Sequence, residues 1–170
     1  MRQEAHPVKI WVDGSCLYNG TSRARAGSGA FWGMGSPKNF ALWVPDAQTN
    51  NRGEAYAILK AIQTEPPTKT LIIYSDSEWA MNALITYGPQ NQAQGWTSIN
   101  RDLLRDIVMI IRARPAPITF VQVKGHSGLA PHDAADELAR RDAWKAPTSN
   151  YRKLEVDLIA AASVSDSRGR

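Results

Sequence analysis

The sequence predicts an α/β domain in which helices pack on a mixed sheet, and three observations carry that prediction. Strand-length apolar runs occur five times. Stripes of apolar residues at helical spacing separate the later runs but not the first three. The resulting order is β-β-β-α-β-α-α-β-α, with an antiparallel meander first and helices returning the chain between the later strands. The 170 residues suit one domain, and 43% hydrophobic with 21% charged residues suits a globular one. Mean hydropathy is −0.37, and no apolar run approaches the roughly 20 residues that span a bilayer, so no membrane partner is expected. Residues Met1–Pro7 lack the apolar core of a secretory leader. The single cysteine, Cys16, allows no intramolecular disulfide, so the expected setting is an intracellular reducing compartment, cytoplasm or nucleus. The net charge of +4 is compatible with a polyanionic partner without requiring one.

Taken in order, Pro7–Asp13 alternates and is rich in β-branched and aromatic residues, which reads as a strand ending at an Asp13-Gly14-Ser15 turn. A polar, basic loop, Asn19–Gly27, follows. Strands are expected near Gly29–Met34 and over Phe40–Val44, with a hairpin turn through Gly33–Asn39. Thr49-Asn50-Asn51-Arg52 opens a helix whose Ala55, Ile58, Leu59 and Ile62 share a face, and Pro66-Pro67 stops it. Leu71–Tyr74 is a continuous apolar run, as in a central strand buried on both faces. Ser75-Asp76-Ser77 supplies N-cap chemistry for a helix running toward Tyr87, and Gly88–Gln94 is a polar break. A helix over about Ser98–Arg112 carries Leu103, Leu104, Ile107, Val108 and Ile111 on one face. After Pro115 and Pro117, Ile118–Val123 reads as a strand. A Gly-His-Ser-Gly loop then leads into a last helix over about His132–Trp144, and Ser163–Arg170 reads as a frayed tail.

Four acids stand at element boundaries in this reading: Asp13 closing the first strand, Glu54 in the first helix's opening turn, Asp76 after the fourth strand, and Asp136 in the first turns of the last helix. Functional groups in α/β sheets collect beyond the carboxyl ends of strands. If the first and fourth strands are parallel neighbours, Asp13 and Asp76 meet there, and helices can bring Glu54 and Asp136 to the same spot. Four carboxylates in one place repel one another, and burial penalises each. Divalent cations offset both effects, and hard oxygen ligands select Mg²⁺ or Mn²⁺ rather than zinc. A pair of such ions can activate water and stabilise both oxygens of a phosphodiester displacement. Each acid also has a plainer reading. Asp-Gly-Ser is a common turn, Glu54 and Asp136 suit a helix dipole, and Asp76 can be a helix cap.

Four motifs together resemble type 1 ribonuclease H. They are Asp13-Gly14-Ser15-Cys16-Leu17-Tyr18-Asn19-Gly20, Thr49–Glu54, Tyr74–Ser77, and Lys124–Gly128 followed by Ala135–Arg140. They stand in the family's order and cover roughly Val8–Ala143. The pattern is similar to cellular eukaryotic or retroelement ribonuclease H domains. The resemblance implies a ribonuclease H-like fold: a five-stranded mixed sheet, three antiparallel strands then two parallel, with helices on both faces. It implies a catalytic domain over 7–145 and an extension of unknown role over 146–170. The implied activity is hydrolysis of the RNA strand of an RNA–DNA hybrid, leaving 3′-hydroxyl and 5′-phosphate ends. Asp13, Glu54, Asp76 and Asp136 would hold two Mg²⁺ ions, with Mn²⁺ able to substitute. His126 would be a catalytic histidine that shuttles a proton or helps product leave. Asn19, Asn50 and Asn51 would contact the hybrid across its minor groove, where neutral amides suit the 2′-hydroxyl. The backbone at Ser15 and Cys16 would lie beside a ribose. Thr49 and Asn100 would form a pocket for a DNA-strand phosphate, with Arg23 and Arg25 as further phosphate contacts. A monomer is expected. The alternative is a catalytically silent module that binds hybrid or serves a structural role. A DNA exonuclease or junction resolvase ranks lower, because those lack the Asn19 and Thr49-Asn50-Asn51 set with a Gly-His-Ser-Gly loop.

Three departures from the family pattern stand out. Ala80–Asn100 contains no lysine or arginine, where many cellular members carry a basic, Trp-rich protrusion, and only Trp96 remains of it. Weaker hybrid binding with a shallower salt dependence follows, and so does a need for a reverse transcriptase or hybrid-binding domain as partner, unless the chain acts alone and binds loosely. Ala47 occupies the place of a phosphate-binding arginine. The last motif reads His132-Asp133 where the family has Asn-Glu, and His132 is expected to be a helix-start residue with no catalytic part.

Overall fold

The structure, a computed structural model, describes residues 6–86, 100–125 and 128–143. Five strands form one sheet: β1 Val8–Leu17, β2 Arg25–Phe31, β3 Phe40–Trp43, β4 Leu71–Ser75 and β5 Ile118–Gln122. Their spatial order is β3-β2-β1-β4-β5. β1 pairs antiparallel with β2, as does β2 with β3, whereas β4 runs parallel to both β1 and β5. The helices are α1 Asn50–Thr64, α2 Glu78–Met81 (which continues as a π-helical turn, Asn82–Thr86), α3 Arg101–Ala113 and α4 Ala130–Ala143.

Side-chain alternation places helices on both faces. Ile10 and Val12 of β1, with Leu71 and Ile73 of β4, are fully buried toward Ile58, Leu59 and Ile62 of α1 and Leu103 and Ile107 of α3. The opposite face of β1–β3 meets α4 through very small residues. Ala135, Ala139 and Ala143, one turn apart, are fully buried. A Cβ on Gly27 would lie 2.0 Å from the Ala139 carbonyl oxygen, and one on Gly29 would lie 2.3 Å from that of Ala135. This close approach is what places the acidic face of α4 over β1.

Several boundaries differ from the sequence expectation, each for a tertiary reason. β1 does not turn at Asp13-Gly14-Ser15 but stays extended to Leu17, held by an unbroken ladder from Trp11↔Phe31 to Leu17↔Arg25. Pairing overrides the local turn preference of Asp-Gly-Ser. β2 consequently begins at Arg25, inside the expected loop, and ends at Phe31. Its glycines are there for helix contact, not for flexibility. Glu54 stands at the fifth helical position, a turn deeper than expected, and α1 has no acid in its first turn. α4 starts at Ala130, two residues before His132. β4 is central by pairing, but only Leu71, Ile73 and Ser75 are fully buried. Ile72 and Tyr74 are half-buried, because α4 lies over β1–β3 rather than β4. Tyr74 instead stacks on Trp11, with ring centroids 4.7 Å apart and planes 10° from parallel. The start expected for α3 at Ser98, the break at Gly88–Gln94, Trp96 and the extension over 146–170 lie outside the described residues.

Candidate active site

The site forms where β1 and β4 stop pairing. Their parallel ladder ends at Trp11↔Tyr74, while β1 runs on beside β2 and β4 ends at Ser75. Beyond that point the β4-facing edge of β1 has no strand partner, and its polar groups must be satisfied otherwise. The Gly14 N–H donates to Asp13 Oδ1 and to Glu54 Oε1, both at 2.9 Å. Glu54 reaches this edge because α1 crosses β1 at a glycine, where a Cβ on Gly14 would sit 2.3 Å from the Glu54 nitrogen. The other Glu54 oxygen accepts from the Ser75 hydroxyl at 3.3 Å.

Asp76 directly follows β4. The capping role open to it falls instead to Ser77, whose side chain accepts from the Ala80 N–H, and the Asp76 carboxylate faces the cleft. α4 adds two residues one turn apart. His132, only 3% exposed, places Nε2 at 3.1 Å from Asp76 Oδ2 and 3.9 Å from Asp13 Oδ2. Asp136 lies one turn further and pairs with Arg140 at 2.6 Å. Asp13, Glu54, Asp76 and Asp136 thus line a single cavity of about 410 Å³.

This crowding shows in the proton affinities. Burial, then the hydrogen bond and negative charge of Glu54, then the charge of Asp76 push the Asp13 carboxyl far above the carboxylate range. Burial likewise raises Glu54, outweighing the hydrogen bonds from Asp13, the Gly14 N–H and Ser75. The hydrogen bond to Asp76 raises His132, with the charges of Asp13, Asp76 and Asp136 adding to it against burial. The site therefore holds more negative charge than its surroundings can satisfy, and it gathers protons. Cations held by the four carboxylates would relieve the same stress, so the donor set fits divalent metal ions.

Ser15, Cys16, Asn50 and Asn51 line the same cavity. The Cys16 thiol is half-buried and raised by burial, the opposite of what a nucleophilic thiolate needs. Asn19 stands outside the cavity, exposed in the turn after β1. Thr49 caps α1 by accepting from the Arg52 N–H, and Asn100 sits buried at the start of α3. These two helix starts are clamped together, because the buried Arg52 guanidinium binds Asp102 at 3.0 and 2.8 Å. His126 lies outside the described residues.

Sequence reasoning missed two contributors. His132 is not an idle helix-start residue. Its ring is buried in the acid cluster, a correction forced by the two-residue-earlier start of α4, which turns His132 inward on the same face as Asp136. The spacing His132, Asp136, Arg140 (four residues each time) is the signal that identifies this face. Ser75 carries no comparable signal, because its role depends on where Glu54 arrives.

Comparison with solved structures defines the class. The fold is similar to a crystal structure of LC9-RNase H1, described as a type 1 RNase H with the type 2 active-site motif. The TM-score is 0.63 at 22% identity, over 82% of this chain and 74% of that one. It is also similar to the foamy viral protease-reverse transcriptase in complex with RNA/DNA hybrid, with a TM-score of 0.65 at 13% identity, over 85% of this chain and 21% of that one. At such identities these matches establish a ribonuclease H fold. The RNase H family model matches residues 5–144, and the chain belongs to that family. Ribonuclease H1 of Homo sapiens is 36% identical over 143 residues, 80% of this chain and 50% of the relative. Ribonuclease H of Schizosaccharomyces pombe is 34% identical over 139 residues, 79% and 52% respectively. A bacterial relative, ribonuclease H of Cupriavidus pinatubonensis, is 29% identical over 140 residues, covering 79% of this chain and 93% of the relative. The chain spans about half the length of the first curated relatives it matches.

Proposed function

We propose that this chain hydrolyses the RNA strand of RNA–DNA hybrids, leaving 3′-hydroxyl and 5′-phosphate ends. The observation that carries the reading is the convergence of Asp13, Glu54, Asp76 and Asp136, from four separate segments, on one cavity. These carboxylates would hold two Mg²⁺ ions, with Mn²⁺ able to substitute. Bound there, such ions supply an activated water and neutralise charge on the phosphate. The chain's own residues prepare for this. Gly14 and Ser75 fix the Glu54 carboxylate, and the unbroken β1 ladder fixes Asp13. Ser77 caps α2, and the Asp76 carboxylate faces the cavity.

Substrate choice falls to the rim. Asn50 and Asn51 present exposed amides at the start of α1, facing the cavity walled by Ser15 and Cys16. A neutral amide pairs with a ribose 2′-hydroxyl without favouring any base. Asn19 extends the same contact beyond β1. Thr49 and Asn100, at the clamped starts of α1 and α3, would receive a DNA-strand phosphate, for which helix N-termini are suited. His126 is assigned proton transfer or product release on its Gly-His-Ser-Gly motif.

The test offers labelled RNA–DNA hybrid, double-stranded RNA and double-stranded DNA, each with Mg²⁺ and with EDTA. The expected result is cleavage of the RNA strand of the hybrid alone, stopped by chelation. Hybrid binding without cleavage under every metal condition would establish the silent-module reading instead.

A further inference from the structure

The four carboxylates do not exhaust the donors in the cleft. His132 is 97% buried by its 3% exposure, so its ring cannot swing into solvent, and Nε2 points between Asp13 and Asp76. The three donor atoms lie within 4.8 Å of one another. Donors around a small divalent ion at about 2.1 Å are about 3 Å apart when adjacent and about 4.2 Å when opposite. The 3.1 and 3.9 Å separations from Nε2 to the two carboxylates are of that size. Nδ1 is buried and meets no acceptor among the described residues. No contact outside the cluster therefore fixes the tautomer; freeing the Nε2 lone pair gives up the bond to Asp76, which an ion would replace, and places the ring proton on Nδ1.

We propose that His132 is a nitrogen ligand to the ion held by Asp13 and Asp76, which makes that position a mixed nitrogen–oxygen site. The inference rests on the proposed metal-dependent reading of the cleft and deepens it. An all-oxygen set favours Mg²⁺, whereas imidazole nitrogen favours transition ions. The His132-Asp133 departure would therefore shift this enzyme's preference from Mg²⁺ toward Mn²⁺ and Co²⁺. The neutral imidazole also takes up a coordination position without adding negative charge, in a cluster already overcharged.

Mn²⁺ itself is the probe. The chain has three histidines, His6, His126 and His132, so the double variant His6→Ala/His126→Ala keeps His132 as the sole imidazole. Pulsed electron paramagnetic resonance of Mn²⁺ bound to this variant should show a histidine nitrogen coupling that changes on ¹⁵N-histidine labelling. In the otherwise unaltered chain carrying His132→Asn the coupling should vanish, and calorimetric titration should show the Mn²⁺-to-Mg²⁺ affinity ratio reduced about tenfold. Bound Mn²⁺ without nitrogen coupling in the double variant would overturn the inference while leaving a metal-dependent site in place. No Mn²⁺ or Mg²⁺ binding at all would overturn the metal-dependent reading and the inference with it. The double variant retains the His132 ring, so the outcome does not depend on His132→Asn folding.

Discussion

Asp13 and Asp76 carry different burdens, although both face the cavity. Asp13 is 4% exposed and, with Glu54, binds its proton more tightly folded than unfolded, because burial and like charge oppose ionisation. Unfolded carboxylates release protons near pH 4. For these two groups, ion-free stability is greatest at about pH 4 and below, and it falls as pH rises through their folded values. His132 acts in the same sense, since a raised histidine adds stability at low pH that is lost as it deprotonates. Asp13→Asn keeps the shape and removes the charge. In EDTA it should flatten the fall of Tm between about pH 4 and 9, and at neutral pH it should melt higher than the native chain, whose deficit Mg²⁺ should erase. Parallel melting curves for the two proteins would show that Asp13 bears no such stress. Asp76 is instead more accessible, with a side chain 26% exposed. Asp76→Asn should therefore cost mainly turnover, about 4 kcal/mol or a thousandfold in kcat, with far-ultraviolet circular dichroism unchanged.

Between elements, two contacts hold the geometry, and they differ in how far the sequence announces them. The first is the seating of α4 on β2. Gly29→Ala would put a methyl group 2.3 Å from the Ala135 carbonyl oxygen, and overpacking of this kind costs about 1–3 kcal/mol. The helix must lift, carrying His132 and Asp136 away from Asp13, so Tm and hybrid cleavage should fall together. A variant with lower Tm but native kcat would separate α4 seating from the site. The second contact is the Arg52–Asp102 clamp between α1 and α3. Burial raises Asp102, but the hydrogen bonds and charge of Arg52 outweigh it and hold its carboxyl below the usual range. The clamp's stability is therefore present above about pH 4 and lost as pH falls. Asp102 is 35% exposed, which discounts the pair for solvent screening, yet its loss leaves the buried guanidinium to the Pro45 carbonyl and a longer 3.3 Å contact with Asp46. Asp102→Ala should cost about 2 kcal/mol at neutral pH and lower Tm by about 4–8 °C, with the difference shrinking in acid. Neither contact is legible in the chain order alone. Local signals serve where the chain is its own context: Thr49 caps α1, Pro66-Pro67 follows its end, and the Leu71–Tyr74 run is β4. They fail where another element decides. Asp13-Gly14-Ser15 reads as a turn but is held straight by β2, and Gly27 reads as loop and Gly29 as the start of a strand, but both make room for α4. His132 reads as idle until the true start of α4 sets its face.

At the scale of the whole molecule, the legible and illegible parts of the site divide by chemistry. Metal-holding chemistry of the proposed kind needs Asp or Glu at set places in the fold, so Asp13, Glu54, Asp76 and Asp136 leave a pattern readable across some 120 residues. Grip on a polyanion needs only positive charge somewhere along its path, and no fixed spacing betrays it. Here that charge is thin. The cavity is lined by acids, with Arg140 at its edge already paired to Asp136, and Ala80–Asn100 has no lysine or arginine. Each phosphate neutralised by a cation adds about 0.9 to the slope of log affinity against log salt. The isolated chain should accordingly bind hybrid with a shallow slope, set by a few contacts. The matched segment makes up 50% of each of the first curated relatives. Fusing a basic hybrid-binding module to the chain should lower KM for hybrid and steepen the salt dependence while leaving kcat within about twofold, because the added phosphate contacts stabilise ground and transition states alike. Measuring KM and kcat from 50 to 200 mM salt, with and without the module, distinguishes the cases. If the isolated chain already binds tightly at 200 mM with a steep slope, this chain grips its substrate by residues other than the missing protrusion. If the module raises kcat instead of lowering KM, substrate alignment rather than grip is what the isolated domain lacks.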